Sequence, residues 1–205
     1  MYPTYLVHYG VPNQKWGVRN WQNEDGSLTP EGYIHYYGEK QRFKSPQDLS
    51  KFMSDFKYKN FDRLMTPDQV EKTKSGSCHD QVMFEMDELK KQGLDPKAKF
   101  IMAVGPNGQG GETHSFVYYT KNNKTYYLEN AWQDKKGLHE FRNEKEMIDH
   151  IGSSFQSRNK NQNIYLADFN TKEHKAGEDL ATLVDKCMNN AEEYKPKHSY
   201  AIRKK

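Results

Sequence analysis

The spacing of apolar residues becomes regular at Ser45 and predicts a series of helices. In "SPQDLSKFMSDF", a Ser cap and a Pro at the first helical position precede apolar residues at the 3.6-residue interval of an amphipathic helix, namely Leu49, Phe52, Met53 and Phe56. The segment "TPDQVEKTKSG" repeats the Thr-Pro start, so it predicts a second, short helix that stops at Gly76.

A third predicted helix runs from its cap at Ser77 to about Gln92 and ends before Gly93. Its apolar stripe consists of Val82, Met86 and Leu89, and the same stripe contains Cys78. One of the two cysteines of the chain therefore lies at the head of a helix, just after a glycine-containing turn, rather than in the middle of an apolar face.

After this helix the pattern changes to short apolar runs typical of strands. We predict strands at "KAKFIMAVG", "THSFVYYT", "TYYLENAW", "GLHEF" and "QNIYLADF", with "KNNK" as a hairpin turn. The glycine-rich "GPNGQGGE" before the second strand is interpreted either as a flap or as an ordinary connection. Two further helices are expected, in "NEKEMIDHIGSSF" and in "AGEDLATLVDKCMNNAEEY".

The order of these elements predicts the fold class. Helices come first and are followed by mainly hairpin-connected strands, so we expect an α+β fold in which N-terminal helices pack on an antiparallel sheet. The expected organisation is an aromatic, turn-rich module over 1–44, a core over 45–170, and a packing helix with a basic tail over 171–205.

Composition narrows the class of protein. The net charge of +3 comes from 31 basic and 28 acidic residues spread along the chain, which does not indicate a nucleic-acid partner. The two cysteines, Cys78 and Cys187, form neither a zinc motif nor a disulfide framework. With no leader pattern and no apolar run long enough to span a bilayer, we expect a soluble protein made in a reducing cytoplasm, without a metal or organic cofactor.

The position of Cys78 raises the question of nucleophilic chemistry. The dipole and the orphan N–H groups of a helix start favour the thiolate, but only by about 0.3–1 kcal/mol at an exposed site. A largely ionised thiol at pH 7 needs roughly 2 kcal/mol, so a cation must help. Histidine is the usual cation and also serves as general acid. Cys187, on an apolar stripe in mid-helix, is interpreted as a packing residue.

Among the eight histidines, His114 is the first candidate because it opens the central strand, where a strand end can face the cysteine helix. His139 is second; His79 is set aside because adjacent helix residues point apart, and His174 because it lies in a polar end. The hairpin brings Glu129 or Asn130 near His114, and only one of them can orient the ring. The plainer interpretation makes the same side chains ordinary buried residues.

The strings "GSCHDQ" and "THSFVYYTKNNKTYYLENAWQDKKGLHEF" resemble the transglutaminase-like branch of the papain-like cysteine hydrolases, over residues of about 66–170. The resemblance implies a Cys78–His114–Glu129 triad, with Glu129 in place of the family's usual Asp and Trp132 as the following aromatic. Gln81 and Asp80 then become candidates for supporting the first turn or for substrate contact. Gln69 or Gln81 would join the Cys78 backbone N–H as oxyanion donor.

A second resemblance competes with the first. The cysteine- and histidine-dependent amidohydrolases that cut peptidoglycan also run Cys, His, Glu, Asn, so "THSFVYY" and "YYLEN" can be interpreted with both Glu129 and Asn130 engaged. It ranks second because the cysteine segment lacks the aromatic-rich helix of those enzymes.

The segment "HYGVPNQKWGVRNWQNEDGSLTPEG" resembles a short module in proteins of phages of Gram-positive bacteria, which tends to occur in virion proteins. Its aromatic and basic side chains are of the types that anchor interfaces, namely Tyr9, Trp16, Arg19 and Trp21. The expected locations are the cytoplasm of a bacterial host and the virion.

Together these features predict a phage-associated cysteine hydrolase that attacks an amide or isopeptide bond of a protein or peptide through a thioacyl intermediate. A non-catalytic assembly protein with the same fold is the alternative. The expected partners are the substrate and phage structural proteins, and neither membrane nor nucleic acid.

Overall fold

A computed structural model describes residues 42–195. The chain divides into two units, Met1–Lys40 and Gln41–Lys205, and every described residue belongs to the second. The predicted docking residues Tyr9, Trp16, Arg19 and Trp21 and most of the basic tail lie outside the described residues, so their roles stay predictions.

The N-terminal part of the described chain contains three capped helices and two very short strands. They are α1 (Pro46–Met53), β1 (Lys57–Tyr58), α2 (Pro67–Thr73), β2 (Ser75–Gly76) and α3 (Cys78–Lys91). The side chains of Ser45, Thr66 and Ser77 cap the three helices by accepting hydrogen bonds from first-turn backbone N–H groups. The predicted helix starts are therefore confirmed, because each is encoded locally by its cap.

The rest of the described chain is a six-stranded sheet with two more helices. Its strands are β3 (Lys97–Val104), β4 (Gly110–Lys121), β5 (Lys124–Glu129), β6 (Gly137–Phe141), β7 (Asn163–Asp168) and β8 (Glu192–Tyr194). Their order is β6-β5-β4-β3-β7-β8, and every neighbouring pair is antiparallel. The helices are α4 (Glu144–Arg158) and α5 (Leu180–Met188), and a 3-10 turn spans Gln133–Lys135. The predicted α+β class with an antiparallel sheet is confirmed.

Helices cover both faces of this sheet. Phe100 and Val117 face a core shared with α1, α2, α3 and α5, whereas Ile101 and Phe116 face a second core closed by α4. Consecutive residues of a strand point to opposite faces, so neighbouring positions in β3 and β4 belong to different cores. This alternation also decides which side chains of β4 can reach α3.

Three predicted boundaries differ from the structure. Helix α2 ends at Thr73, because Lys74 is left-handed (φ 46°), and Ser75–Gly76 then pairs in parallel with β1. The predicted C-terminal helix is too long, since Glu192–Tyr194 adds an edge strand beside β7. Strand β4 begins at Gly110, so the last three residues of the segment interpreted as a flap belong to the strand, and a tight turn over the preceding residues joins it to β3.

The predicted "KNNK" hairpin turn is present between β4 and β5. Asn122 and Asn123 both adopt positive φ angles, 52° and 59°, as a two-residue type I′ connection requires. Asn tolerates this region better than most residues with a Cβ atom, which explains why the turn forms without glycine. Among residues 42–195, no helix is long and apolar enough to cross a membrane.

Candidate active site

Cys78 is the first residue of α3 and is 2% exposed. Ser77 caps the helix, and its backbone N–H and hydroxyl donate to Asp80 Oδ2 at 2.8 and 2.7 Å. The other oxygen, Asp80 Oδ1, accepts from the backbone N–H of Met65 at 2.7 Å. The carboxylate of Asp80 thus supports the turn that holds the thiol. Its contacts fit the predicted role in supporting the first turn and not the predicted contact with substrate.

The glycine before this turn has a steric reason. A Cβ atom at Gly76 would lie 2.9 Å from the Cβ of Asp80, which is closer than real Cβ contacts allow. Because Asp80 is held on both sides of the turn, it cannot move away easily. The Gly-Ser-Cys string therefore reflects the close approach of the chain to Asp80.

His114 and Glu129 are both buried and lie next to each other across the hairpin. His114 Nε2 is 2.9 Å from Glu129 Oε2, and their exposed fractions are 2% and 1%. Because Glu129 occupies Nε2, Nδ1 is the ring nitrogen left for Cys78, whose thiolate His114 stabilises. The three predicted triad members are therefore brought together in one chain of contacts.

The carboxylate of Glu129 is fully engaged. Its Oε1 accepts from the backbone N–H groups of Ala131 and Trp132 at 2.7 and 2.9 Å, and the Tyr127 hydroxyl donates to Oε2. Despite burial, the contacts from His114, Tyr127 and Trp132 hold the pKa of Glu129 below its usual range. The short connection after β5 thus serves to fix the carboxylate.

The indole of Trp132 holds the imidazole of His114 from one side. The two rings are stacked with centroids 4.4 Å apart and an interplanar angle of 17°. Trp132 in turn stacks on Phe155 of α4. The aromatic that follows the acid in "LENAW" therefore fixes the orientation of His114, in addition to filling the core.

The electrostatics of the site favour a thiolate–imidazolium pair. Burial raises the pKa of the Cys78 thiol, but His79 and His114 outweigh burial and lower this pKa to about 5. Burial likewise lowers the pKa of His114, whereas Glu129 and Cys78 together raise it to about 10. Between these two values the sulfur is anionic and the ring cationic, which is the state required for nucleophilic attack.

Two further side chains contact the thiol, and sequence reasoning missed both. His79 was expected to point away from Cys78, yet among the neighbouring groups it gives the strongest electrostatic contribution to the thiolate. The Tyr58 hydroxyl also hydrogen-bonds Cys78; burial and the thiolate raise the pKa of Tyr58. For His79 the adjacent position was the available signal, whereas Tyr58 comes from a remote two-residue strand.

Asn130, the alternative orienter, points elsewhere. Its Nδ2 donates to Glu85 Oε1 at 2.5 Å, and both side chains are 2% exposed. Burial raises the pKa of Glu85 well above its usual range, although the Asn130 hydrogen bond acts in the opposite direction. Glu129 alone is therefore hydrogen-bonded to His114, and Asn130 lies in a separate buried pair.

This buried pair allows a prediction. Glu85 keeps its proton in the folded protein but ionises above about pH 4.5 in the unfolded chain, so it lowers the free energy of unfolding as pH rises. Glu85→Gln should therefore be more stable than the wild type at pH 7, with the difference shrinking towards pH 4. Urea unfolding at both pH values measures this. Asp87→Asn, at a partly exposed position of the same helix, is the control, and an equal difference at pH 4 and pH 7 contradicts the prediction.

The two predicted glutamines have structural contacts. Gln81 Nε2 donates to the carbonyl of Gly76 at 2.9 Å, and its buried Oε1 has no partner among the described residues. Gln69 forms a reciprocal capping box with Thr66 at the start of α2, with its Oε1 accepting from the Thr66 backbone. The amide nitrogen of Gln81 is therefore committed to the turn before Cys78, and the oxygen of Gln69 to the start of α2.

The second cysteine, Cys187, also lies near a histidine and a glutamate, but its pKa is shifted in the opposite direction. Cys187 Sγ is 3.8 Å from His174 Nε2, and His174 Nδ1 is 2.9 Å from Glu178 Oε2. Burial, with Glu178 and Glu173, raises the pKa of Cys187 to about 12. Cys187 is thus a protonated core residue, as predicted, whereas His174 is buried rather than in a polar end.

A groove of about 560 Å³ leads to the site. Its walls include Tyr58, Phe61, His79, Glu112 and Asp179. Tyr58 and His79 also interact electrostatically with Cys78, so two side chains of the groove wall act on the nucleophile. His139, the second-choice histidine, instead contacts the carbonyl of Lys135 at 2.7 Å.

Comparisons with known proteins add little to this geometry. No protein-family model matches the chain, and no curated protein matches it. Among solved structures, Legionella pneumophila LapG (EGTA-treated) is similar over 70% of this chain and 75% of that chain, with 14% identity and a TM-score of 0.36. Such a likeness carries no argument about function.

Within residues 42–195, no group of three or more His, Cys, Asp or Glu side chains could hold a metal ion.

Proposed function

We propose that this chain is a cysteine hydrolase that acts on an amide or isopeptide bond of a protein or peptide substrate. Cys78 is the nucleophile, His114 its base and acid, and Glu129 orients the ring. One observation carries the proposal: a buried thiol at a helix start contacts an imidazole whose other nitrogen is bound to a buried carboxylate. Buried structural cysteines such as Cys187 lack a lowered pKa.

The reaction follows from this arrangement. The Cys78 thiolate attacks the carbonyl carbon, and the C–N bond breaks as the leaving amine takes a proton. Water or another amine then attacks the thioester and regenerates the thiolate. The backbone N–H of Cys78 is one of the helix-start groups without an intrahelical partner, so it is available to the oxyanion.

The N-terminal string, rather than the active site, suggests the biological setting. Its resemblance to a phage module supports a role in a phage-infected cell, in which Tyr9, Trp16, Arg19 and Trp21 dock the chain to a phage structural protein. A chain with the same fold but an inactive site would be an assembly component. Thiol reactivity separates these two functions.

The first test is alkylation of Cys78 by iodoacetamide, followed by mass spectrometry. At pH 6.5 a thiol with pKa 8.5 is only about 1% ionised, so a largely ionised Cys78 should react roughly 100-fold faster than an ordinary thiol. The rate should rise through about pH 5 and reach a plateau, in accordance with the lowered pKa. His114→Asn should return the rate to that of an ordinary thiol.

Cys78 is only 2% exposed, so poor access of iodoacetamide would slow alkylation even of an ionised thiol. The effect of access must therefore be measured separately from the effect of ionisation. Tyr58→Ala removes a groove wall that touches the thiol and serves as the open control. Sluggish alkylation of both the wild type and Tyr58→Ala, independent of His114, would rule out the hydrolase and favour the assembly component.

A further inference from the structure

The Cys78 thiol lies between two imidazoles, and only one of them belongs to the proposed triad. His114 uses Nε2 for Glu129, at 2.9 Å. His79 uses Nδ1 for the hydroxyl of Ser115, at 2.8 Å, which leaves its Nε2 for the thiol. Ser115 directly follows His114 in β4. Two consecutive residues of this strand therefore hold the first two residues of α3: His114 acts on Cys78, and Ser115 bonds His79.

The partners of the two rings differ in chemistry. Glu129 is a carboxylate, which can only accept a hydrogen bond and therefore stabilises His114 as a cation. Ser115 carries a hydroxyl, which both donates and accepts, so it remains a partner for His79 whether Nδ1 carries a proton or not. Ser115 therefore holds the His79 ring at Nδ1 without a charged partner, which leaves Nε2 as the atom that can exchange a proton.

The ring of His79 is also fixed in position and faces the substrate side. It packs against Phe100 and Phe169, with ring centroids 5.9 and 6.1 Å away and interplanar angles of 22° and 8°. Although His79 is only 2% exposed, it lines the groove beside Tyr58. A leaving group that departs into this groove therefore meets His79.

We infer that His79 is a second catalytic residue, which takes over from His114 the proton transfers to the leaving amine and from the attacking water on the groove side of the thiol. His114 then remains the cationic partner of the sulfur. The inference rests on the proposed function. In acylation, the His79 imidazolium gives its proton to the leaving amine as the C–N bond breaks. In deacylation, the neutral ring accepts a proton from the attacking water, and the thiolate is released from the thioester, so each cycle restores both groups.

Several ionisable groups share the environment of His79. Cys78, His114 and Tyr58 meet at the thiol, and Asp62, Glu112 and Asp179 line the same groove. A pH profile alone would not show which of these groups causes a change in rate. The test therefore separates the two chemical steps by the choice of substrate.

The probe is p-nitrophenyl acetate, whose leaving group departs without a proton at neutral pH. His79→Gln should slow the burst of acetylation at Cys78 by about tenfold, because the thiolate loses one of its two imidazole neighbours, whereas hydrolysis of the acetyl-enzyme should fall by about 10²-fold. Acetyl-Cys78 should therefore accumulate in intact-mass spectra. His114→Asn should instead lose the burst, and Cys78→Ala should show none.

A second pair of variants protects the test against misfolding of His79→Gln. Ser115→Ala keeps the imidazole but removes its partner and should slow deacetylation about tenfold, whereas Ser115→Thr keeps a hydroxyl and should restore it. Deacetylation at the wild-type rate in both His79→Gln and Ser115→Ala would overturn the inference, as would equal losses in both steps. A wild type without a Cys78-dependent burst would overturn the proposed function itself.

Discussion

Glu129→Gln should lower the rate of Cys78 alkylation at pH 6.5 by about 100-fold, the largest effect expected from a nearly isosteric change. The glutamine oxygen can still accept from the Ala131 and Trp132 N–H groups, so the amide nitrogen must face His114 and Tyr127. His114 Nε2 then has to accept a hydrogen bond, which places the ring proton on Nδ1. In that tautomer the ring cannot take the thiol proton.

The same substitution should shift the pH profile in a defined direction. Glu129 raises the pKa of His114, and His114 lowers the pKa of Cys78, so loss of the carboxylate moves the rise in alkylation from about pH 5 towards the value of an ordinary thiol. Glu129→Asp keeps the charge and is the matched control, with a smaller loss. An unchanged profile in Glu129→Gln would show that the carboxylate does not act on the thiol.

Asp80→Ala should cause the largest loss of stability, about 3–5 kcal/mol in the free energy of unfolding. Asp80 is 1% exposed and accepts from the Met65 N–H, the Ser77 N–H and the Ser77 hydroxyl, at 2.7–2.8 Å. Its removal leaves several buried donors without an acceptor, and each unsatisfied donor costs about 1–3 kcal/mol.

Urea unfolding followed by circular dichroism measures this loss. Asp48→Ala is the matched control, because Asp48 also lies in the first turn of a capped helix but bonds Ser45 at an exposed site. That variant should change stability by no more than about 0.5 kcal/mol. Similar losses in the two variants would mean that the burial of Asp80 contributes nothing to the free energy of unfolding.

The sequence predicted the features whose causes are local. Ser and Thr caps mark the helix starts, the Asn-Asn turn joins β4 to β5, and short apolar runs mark the strands. The pairing of His114 with Glu129 also follows from one hairpin, which brings neighbouring strands together at short separation. These predictions succeeded because each depends on residues close together in the chain.

Boundaries set by pairing partners were predicted less well. Strand β4 extends to Gly110 because β3 offers hydrogen-bonding partners there, and Glu192–Tyr194 becomes a strand because the edge of β7 is unoccupied by another strand. Neither extension has a local signal, since glycines and a charged run are weak strand formers. In both places the sheet overrides the local preference.

The sequence by itself determined the α+β order of elements, the capped turn before Cys78 and the hairpin that carries His114 and Glu129. Only the tertiary structure decided which groups surround the thiol: it brings Tyr58 from a separate strand, turns His79 towards the sulfur, and sends Asn130 to Glu85. The physical reason is that caps and turns depend on a few adjacent residues, whereas the contacts of a buried side chain depend on how remote elements pack around it.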